Sequence, residues 1–400
     1  MSNILFFANV LGYIGAVMIF LQIVMGSRDI FKYFKTDTVS MNTWHKYLGI
    51  YGTLFVFVHP IEEMYAYMSS WSWIYTPNFI IESEMYITFG RFALLLALLV
   101  WITSAIVREQ IKWTPWKYIH LLSYPLFAMV FMHAVGVGTI FENYLWVQII
   151  WYIMFVIFVV VVILRLLAWS GYSKMKYIIK DFEFYGPELV VIKLAPTDNN
   201  KIMTAKIGQN FYLQSDRFKS EHPFTIMEQN KENGELVFAV RKVGNFWNEI
   251  VSKEVNSAIY IDGPYGVFTA EGQNSDTKVI ISGGVGVTPF VELAKYYGDN
   301  AYYVNCNRNI NEAIRRDEIK SFVYKYLDIF NETDNVTPIV NGGMIKGVIT
   351  ADILQQFVGT DIANAKYFIC GSPKYTLIVC DILKSLGVSK SKIYFEALGF

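Results

Sequence analysis

The sequence predicts a multi-domain chain: an α-helical transmembrane bundle of about five spans, then an antiparallel β-barrel, then a doubly wound α/β domain. Three observations predict it. Of 400 residues, 54% are hydrophobic and 17% aromatic, too apolar for a soluble chain of this length. The apolar runs long enough to cross a bilayer, which takes about 20 residues, all fall before residue 170. From Lys174 onward come short alternating strands, charged turns such as Gln229-Asn230-Lys231-Glu232-Asn233-Gly234, and finally Gly-rich strand-to-helix turns. The expected boundaries are 1–170, 174–270 and 277–400.

The candidate spans run roughly over 3–25, 44–68, 86–107, 117–138 and 144–168. The first lacks a basic start and a small-residue cleavage site, so it reads as a span rather than a leader. Basic residues of short loops stay on the cytoplasmic side. Arg28, Lys32, Lys35 and Lys46 follow the first span, and Arg108, Lys112 and Lys117 follow the third, whereas the loops around Trp71 to Glu84 and Gly138 to Asn143 have no Lys or Arg. The expectation is a multi-pass protein of the cell membrane, its N-terminus outside and its soluble half cytoplasmic. Lys+Arg and Asp+Glu both number 34, so no bulk basic surface points to nucleic acid. Cys306, Cys370 and Cys380 show no zinc spacing and read as reduced thiols.

Four of the five histidines lie in two spans, His45 and His59 in the second, His120 and His133 in the fourth. Ionisable groups in a bilayer are costly and imply partners. A separation of 14 residues returns nearly to the same helical face, with a rise of roughly 21 Å. The second pair is 13 apart, on a different face of an ideal helix, and Pro125 between them is expected to kink the helix and restore the alignment. His45 then comes level with His120, and His59 with His133. Paired imidazoles at two depths suit two bis-histidyl b-type haems, held without covalent attachment because no C-x-x-C-H occurs. Buried, hydrogen-bonded histidines are the plainer alternative. Zinc or a proton relay stays open, although zinc wants its ligands at one depth.

In the soluble half, His222-Pro223-Phe224-Thr225 stands within the expected barrel, ahead of Arg241 and the Gly244 turn. Phe224 offers a ring face, Thr225 a hydroxyl for a flavin atom, and Arg241 with Gly244 a basic, close-approach site for pyrophosphate, which together suit FAD. Read singly, these are a core ring, a strand hydroxyl and a solvated charge. Further on, Val279-Ile280-Ile281 reads as a buried strand leading into Gly283, Gly284, Gly286, Thr288 and Pro289 and a helix through Phe290 to Tyr297, a dinucleotide-type turn with Pro289 in the first helical turn. Arg308 follows the second strand, where a guanidinium meets a 2′-phosphate and favours NADPH, with NADH still open. A later strand delivers Cys370-Gly371-Ser372-Pro373, and the terminal Phe400 could fold back as a lid over the flavin.

Together these features resemble the ferric-reductase and NADPH-oxidase superfamily. The resemblance rests on the two histidine pairs, on Thr103-Ser104, Arg108 and Trp116-x-x-x-His120, and on the His222, Gly283 and Cys370 motifs. It implies one haem for His45 with His120 and one for His59 with His133, a flavin contact at Thr225, and Cys370 beside the nicotinamide. The chain departs from that pattern in having five expected spans rather than six, Trp247 where a phosphate-binding Thr is usual, and Glu396-Ala397-Leu398 in place of a terminal Glu-x-aromatic. The implied activity runs from an NAD(P)H donor through FAD and two haems to an acceptor on the outer face. Arg91 favours O2 reduced to superoxide, while Glu62 and Glu63 favour a metal ion such as Fe³⁺ or Cu²⁺. A haem relay and a membrane-anchored flavin reductase are the alternatives.

Overall fold

The computed structural model describes residues 3–27, 38–172, 174–198, 202–266, 277–334, 336–337 and 343–397. The chain divides into two compact units, Met1–Trp169 and Ser170–Phe400. Phe400 and the basic residues Arg28, Lys32 and Lys35 lie outside the described residues.

The first unit is helical: α1 Asn3–Gly26, α2 Thr38–Ala66, α3 Glu82–Trp101, α4 Trp113–His120, α5 Ser123–Val137, the short α6 Thr139–Asn143 and α7 Leu145–Trp169. Among the described residues, four helical stretches are long and apolar enough to cross a membrane: Ile4–Gly26, Glu82–Ile106, Trp113–Val137 and Leu145–Trp169. This corrects the expected count of about five. The stretch that drops out is α2, which has 29 residues and ample length but carries His45, Lys46, His59, Pro60, Glu62 and Glu63 along it.

Glycines set the helix pairing. Along α1 and α2, Gly12 faces His59, Gly15 faces Val56, Gly52 faces Met18 and Gly26 faces His45, so the two helices run antiparallel at close range. The same holds for α3 and α5, where Gly90 faces His133 and Gly136 faces Tyr86. Aromatic packing of Phe20, Phe127, Phe131, Trp151 and Phe158 joins α1, α5 and α7. The fourth span is broken at Leu121-Leu122, between α4 and α5. Pro125 has no N–H and its ring excludes the carbonyl four residues back. That carbonyl, of Leu121, accepts instead from Tyr124 N at 3.1 Å.

The second unit begins with a seven-stranded antiparallel sheet in the order β4-β3-β7-β1-β2-β6-β5. Its strands are β1 Met175–Tyr185, β2 Leu189–Pro196, β3 Asn210–Gln214, β4 His222–Thr225, β5 Glu228–Gln229, β6 Leu236–Arg241 and β7 Ala258–Tyr265, with α8 Gly244–Val251 after β6. The expected barrel is not closed, because β4 and β5 are the two edges. Ile226 N donates to Gln209 O and Met227 N to Val237 O, so two residues carry the chain from one edge to the other. β5 is only two residues long and has no length left to pair with β4.

A parallel six-stranded sheet follows in the order β11-β10-β9-β8-β12-β13. It comprises β8 Lys278–Gly283, β9 Ala301–Asn307, β10 Lys325–Phe330, β11 Met344–Lys346, β12 Lys366–Gly371 and β13 Ile393–Ala397, with helices α9 Val291–Tyr297, α10 Arg316–Phe322, α11 Ala351–Val358 and α12 Pro373–Ser385. The winding direction reverses between β8 and β12, and in such sheets ligands bind at that switch point. The expected helix start at Pro289 is corrected: Gly284–Phe290 form a 3-10 turn and α9 begins at Val291. Leu189, Val191, Val237 and Ala239 of the first sheet share one apolar core with Ile280, Phe290, Val291 and Tyr303 of the second.

Candidate functional site

The helix pairing brings the four histidines of the helical unit together in two facing pairs. Ring centroids of His45 and His120 are 5.9 Å apart, and those of His59 and His133 are 6.2 Å apart. A metal bound end to end by two imidazoles, at about 2 Å from each nitrogen, holds ring centres roughly 6 Å apart. The break at Leu121-Leu122 leaves both members of the 13-residue pair turned to their partners.

Every Nδ1 is already engaged. His45 Nδ1 meets Gln22 O at 3.0 Å, His59 Nδ1 meets Ala8 O at 2.8 Å, and His133 Nδ1 meets Tyr86 O at 3.1 Å. A carbonyl accepts only, so these three nitrogens carry the proton and the Nε2 lone pairs are left for a ligand. His120 Nδ1 lies 3.1 Å from Ser104 Oγ, which also accepts from Trp116 Nε1 at 3.2 Å. Trp116 stacks on His120 at 4.8 Å, with the Arg108 guanidinium 4.4 Å from the Trp116 ring centre.

Each pair lines a cavity of its own. The His59 and His133 cavity measures 700 Å³ and includes Gly12, Gly90, Arg91 and Glu63. The His45 and His120 cavity measures 830 Å³ and includes Lys46, Ser104, Arg108 and Trp116. Both lie within the range of small-molecule and cofactor sites. Among the described residues no three His, Cys, Asp or Glu side chains could share a metal ion. Two imidazoles alone do not complete a zinc site, whereas a macrocycle that brings its own in-plane nitrogens needs only that axial pair. The residues therefore fit haem.

In the second unit, Thr225 is buried and pairs across the ladder with Asn210, whose buried Oδ1 has no hydrogen-bond partner among the described residues. An orphaned acceptor next to a buried hydroxyl fits the polar edge of a flavin. His222 and Phe224 both pack on Phe246, at 4.7 and 5.2 Å, while Pro223 is exposed. Gly244 opens α8 with free space beside it. Trp247, in the place of the usual phosphate-binding Thr, is buried in the sheet core.

At the switch point a methyl on Gly286 would lie 2.2 Å from Cys370 O, so only glycine lets this turn meet the end of β12. Gly283 and Gly371 both abut the Tyr375 ring, whose hydroxyl donates to Ser282 O at 3.3 Å. The Thr288 hydroxyl donates to Val285 O at 3.2 Å, and Pro289 is buried in the same turn. Gly284 has Arg241 beside it. Cys370 is fully buried, and burial together with Glu396 raises its thiol well above the usual range, so it is a neutral thiol. Arg308 is ion-paired with Glu188.

Comparison with known proteins now adds the composition of the chain. Residues 11–132 match the ferric reductase like transmembrane component, 177–288 an FAD-binding domain and 280–381 an oxidoreductase NAD-binding domain. This composition fits the ferric reductase and NADPH oxidase superfamily. Among its relatives, the flavohemoprotein of Bacillus subtilis is 28% identical over 260 residues, covering 58% of this chain and 60% of that protein. Ferric reduction oxidase 5 of Arabidopsis thaliana is 24% identical over 254 residues, covering 60% of the chain and 31% of that protein. The chain thus spans about 60% of the flavohemoproteins it matches. A flavohemoglobin structure from Malassezia yamatoensis has a TM-score of 0.51 at 19% identity, covering 100% of this chain and 97% of that one, a likeness of fold.

Sequence reasoning missed Gly12 and Gly90, which seat the imidazoles of His59 and His133, and the carbonyls of Ala8, Gln22 and Tyr86 that orient three of the rings. The available signal was glycine inside apolar helices, where small residues mark close packing. Tyr375 and Glu188 carried no signal of their own.

Proposed function

We propose that the chain takes electrons from NAD(P)H and delivers them, through FAD and two b-type haems, to an acceptor on the outer face of the membrane. The observation that carries this reading is the pair of facing imidazole couples whose Nδ1 atoms are all engaged, each couple lining its own cavity. When bound, FAD converts the two-electron donor to one-electron output and the haems carry single electrons.

The chain's own residues hold, orient and insulate. His45 with His120, and His59 with His133, would each hold one haem, with helix carbonyls fixing the tautomers of His45, His59 and His133 and Ser104 engaging Nδ1 of His120. Thr225 and Asn210 face the flavin edge and Arg241 its pyrophosphate. Gly283, Gly284 and Gly286 admit the nucleotide pyrophosphate at the switch point, with Cys370 and Gly371 by the nicotinamide and Arg308 at a 2′-phosphate. Lys46, Arg108, Lys112 and Lys117 support a cytoplasmic side, the side this reading assigns to the nucleotide-binding unit.

O2, giving superoxide, is the first acceptor. Arg91 is buried beside the outer cavity, donating to Trp73 O at 2.8 Å and Glu84 at 3.0 Å, a fixed positive charge where an anion would form. Glu63, Glu84 and Glu142 line the same cavity and favour a metal cation as the second reading.

The test is an anaerobic visible spectrum of purified, FAD-supplemented protein before and after NADPH. Reduced b-type bands at about two haems per chain support the reading. Flavin bleaching without any haem signal overturns it in favour of an anchored flavin reductase. Admitting O2 or a ferric chelate to the reduced protein then decides the acceptor. His59→Ala or His133→Ala abolishes transmembrane output on the haem reading and leaves NAD(P)H turnover with a soluble acceptor.

A further inference from the structure

Arg308 stands directly after β9, the second strand of the nucleotide sheet, where adenosine riboses lie in doubly wound folds. Its guanidinium is not waiting for a ligand. Nη2 is in close contact with Glu188 Oε2, and Nε lies 3.7 Å from Glu312 Oε2. Glu188 comes from the other sheet, in the turn between β1 and β2, and its backbone is fixed because Lys242 N donates to Glu188 O at 2.8 Å. The same Oε2 is 3.7 Å from Arg241 Nη2. One carboxylate thus sits between the arginine read as a flavin-phosphate partner and the arginine read as a 2′-phosphate partner.

We infer that Glu188 is a built-in rival of the 2′-phosphate for Arg308, and so sets the balance between NADPH and NADH. This rests on the reading of Arg308 given above. A 2′-phosphate carries close to two negative charges and must take Arg308 from Glu188, in a surround that also holds Glu312 and Glu332. A ribose 2′-hydroxyl has no such conflict, since a carboxylate accepts from it directly, the usual arrangement for NADH. Both side chains are about one-third or more exposed, 34% for Glu188 and 42% for Arg308, so the exchange needs no opening of the core. Hydrogen bonding from Arg308 holds the Glu188 carboxyl below its ordinary range, and the rival stays charged throughout neutral pH. Because Glu188 and Arg308 lie on different sheets, that exchange also removes one polar tie between them, while the Arg315 pairs with Glu183 and Glu228 and the bond from Gln229 N to Glu292 stay in place.

The test is the ratio of KM for NADPH to KM for NADH, measured on the full-length protein in detergent with saturating FAD, for the parent, Glu188→Gln and Arg308→Ala. The expected result is a ratio that falls by roughly two- to fivefold in Glu188→Gln, the size of effect an exposed ion pair supplies, and rises in Arg308→Ala. Glu188→Ala gives the same fall and guards against a peculiarity of one variant. If Arg308→Ala raises the ratio and neither Glu188 variant moves it, Glu188 is no rival and the inference is overturned while the Arg308 reading stands. If Arg308→Ala leaves the ratio unchanged, the Arg308 reading fails and takes the inference with it. Competition by an adenosine 2′-phosphate fragment gives an independent readout: it tightens in Glu188→Gln, whereas the 2′-hydroxyl analogue does not, and equal tightening of both overturns the inference.

Discussion

Gly90→Ala tests the His59 and His133 pair without touching either histidine. A methyl at Gly90 would stand 2.8 Å from His133 Nδ1 and 3.0 Å from its Cγ, where ordinary non-bonded contacts lie at about 3.5–4.0 Å. The ring must retreat by roughly 0.5–1 Å, against a tolerance of about 0.2 Å in a ligand-to-metal distance. The bond from Nδ1 to Tyr86 O, now 3.1 Å, is bent at the same time. Overpacking of this kind costs about 1–3 kcal/mol, which corresponds to a roughly 5- to 150-fold loss of affinity for the group at that pair. The assay is haem content per chain with the reduced-minus-oxidised spectrum. The expected result is a fall from about two haems to about one, with Gly12→Ala, whose methyl would be 3.0 Å from the His59 ring, giving the same loss. Gly49→Ala is the control, because its nearest neighbour, Gln22 Oε1, is an ordinary 3.5 Å away. Full haem content and an unchanged spectrum in both Gly90→Ala and Gly12→Ala would refute the assignment of axial ligands.

Three further outcomes follow from the second unit. Gly286→Ala forces a methyl to 2.2 Å from a backbone carbonyl, so thermal unfolding shifts down by an amount corresponding to about 2–3 kcal/mol and the nucleotide KM rises; an unchanged melting temperature contradicts the close approach of this turn to β12. Thr225→Val keeps the shape of a buried side chain and removes its hydroxyl, and the Kd for FAD, read from flavin fluorescence, is expected to rise roughly fivefold for about 1 kcal/mol; no change makes Thr225 a core residue only. Burial raises the Glu292 carboxyl above its ordinary range. Its stabilising contribution is therefore complete below the unfolded value of about 4.3 and is lost as pH rises through the raised folded value. Glu292→Gln keeps the acceptor for Gln229 N and removes that loss, so the variant gains stability over the parent at neutral pH but not near pH 4; a constant difference across the range counts against the mechanism.

The histidine pairs were legible because spacing on a helix converts directly into facing and depth, and because a bilayer leaves few reasons for four imidazoles. Pro125 could be read as a kink, but the break falls at Leu121-Leu122, the position of the carbonyl that its ring displaces. The count of spans failed at α2, where functional histidines and acids lower the apolarity that identifies a span. The barrel was over-read because alternation reports strands and turns but not whether the first and last edges meet. Strand β5, two residues long, leaves them apart. At the switch point the Gly-rich turn was legible from Gly283 to Pro289, but its 3-10 geometry follows from the approach of Cys370, some 80 positions on in the chain and outside any local pattern. The capture of Arg308 by Glu188 is likewise a tertiary event between residues 120 positions apart.

The orienting partners of the four imidazoles divide between two helical hairpins. His45 and His59 on α2 are aimed by carbonyls of α1, and His120 and His133 on α4 and α5 by Ser104 and Tyr86 from the segment that α3 opens. Each hairpin thus carries a finished half of both ligand sets before any cofactor arrives. On the haem reading, each macrocycle is a rivet driven through one imidazole from either hairpin. Packing of Phe20 on Phe127 already joins the two hairpins, so on that reading haem binding adds to an existing contact and raises the stability of the assembled bundle.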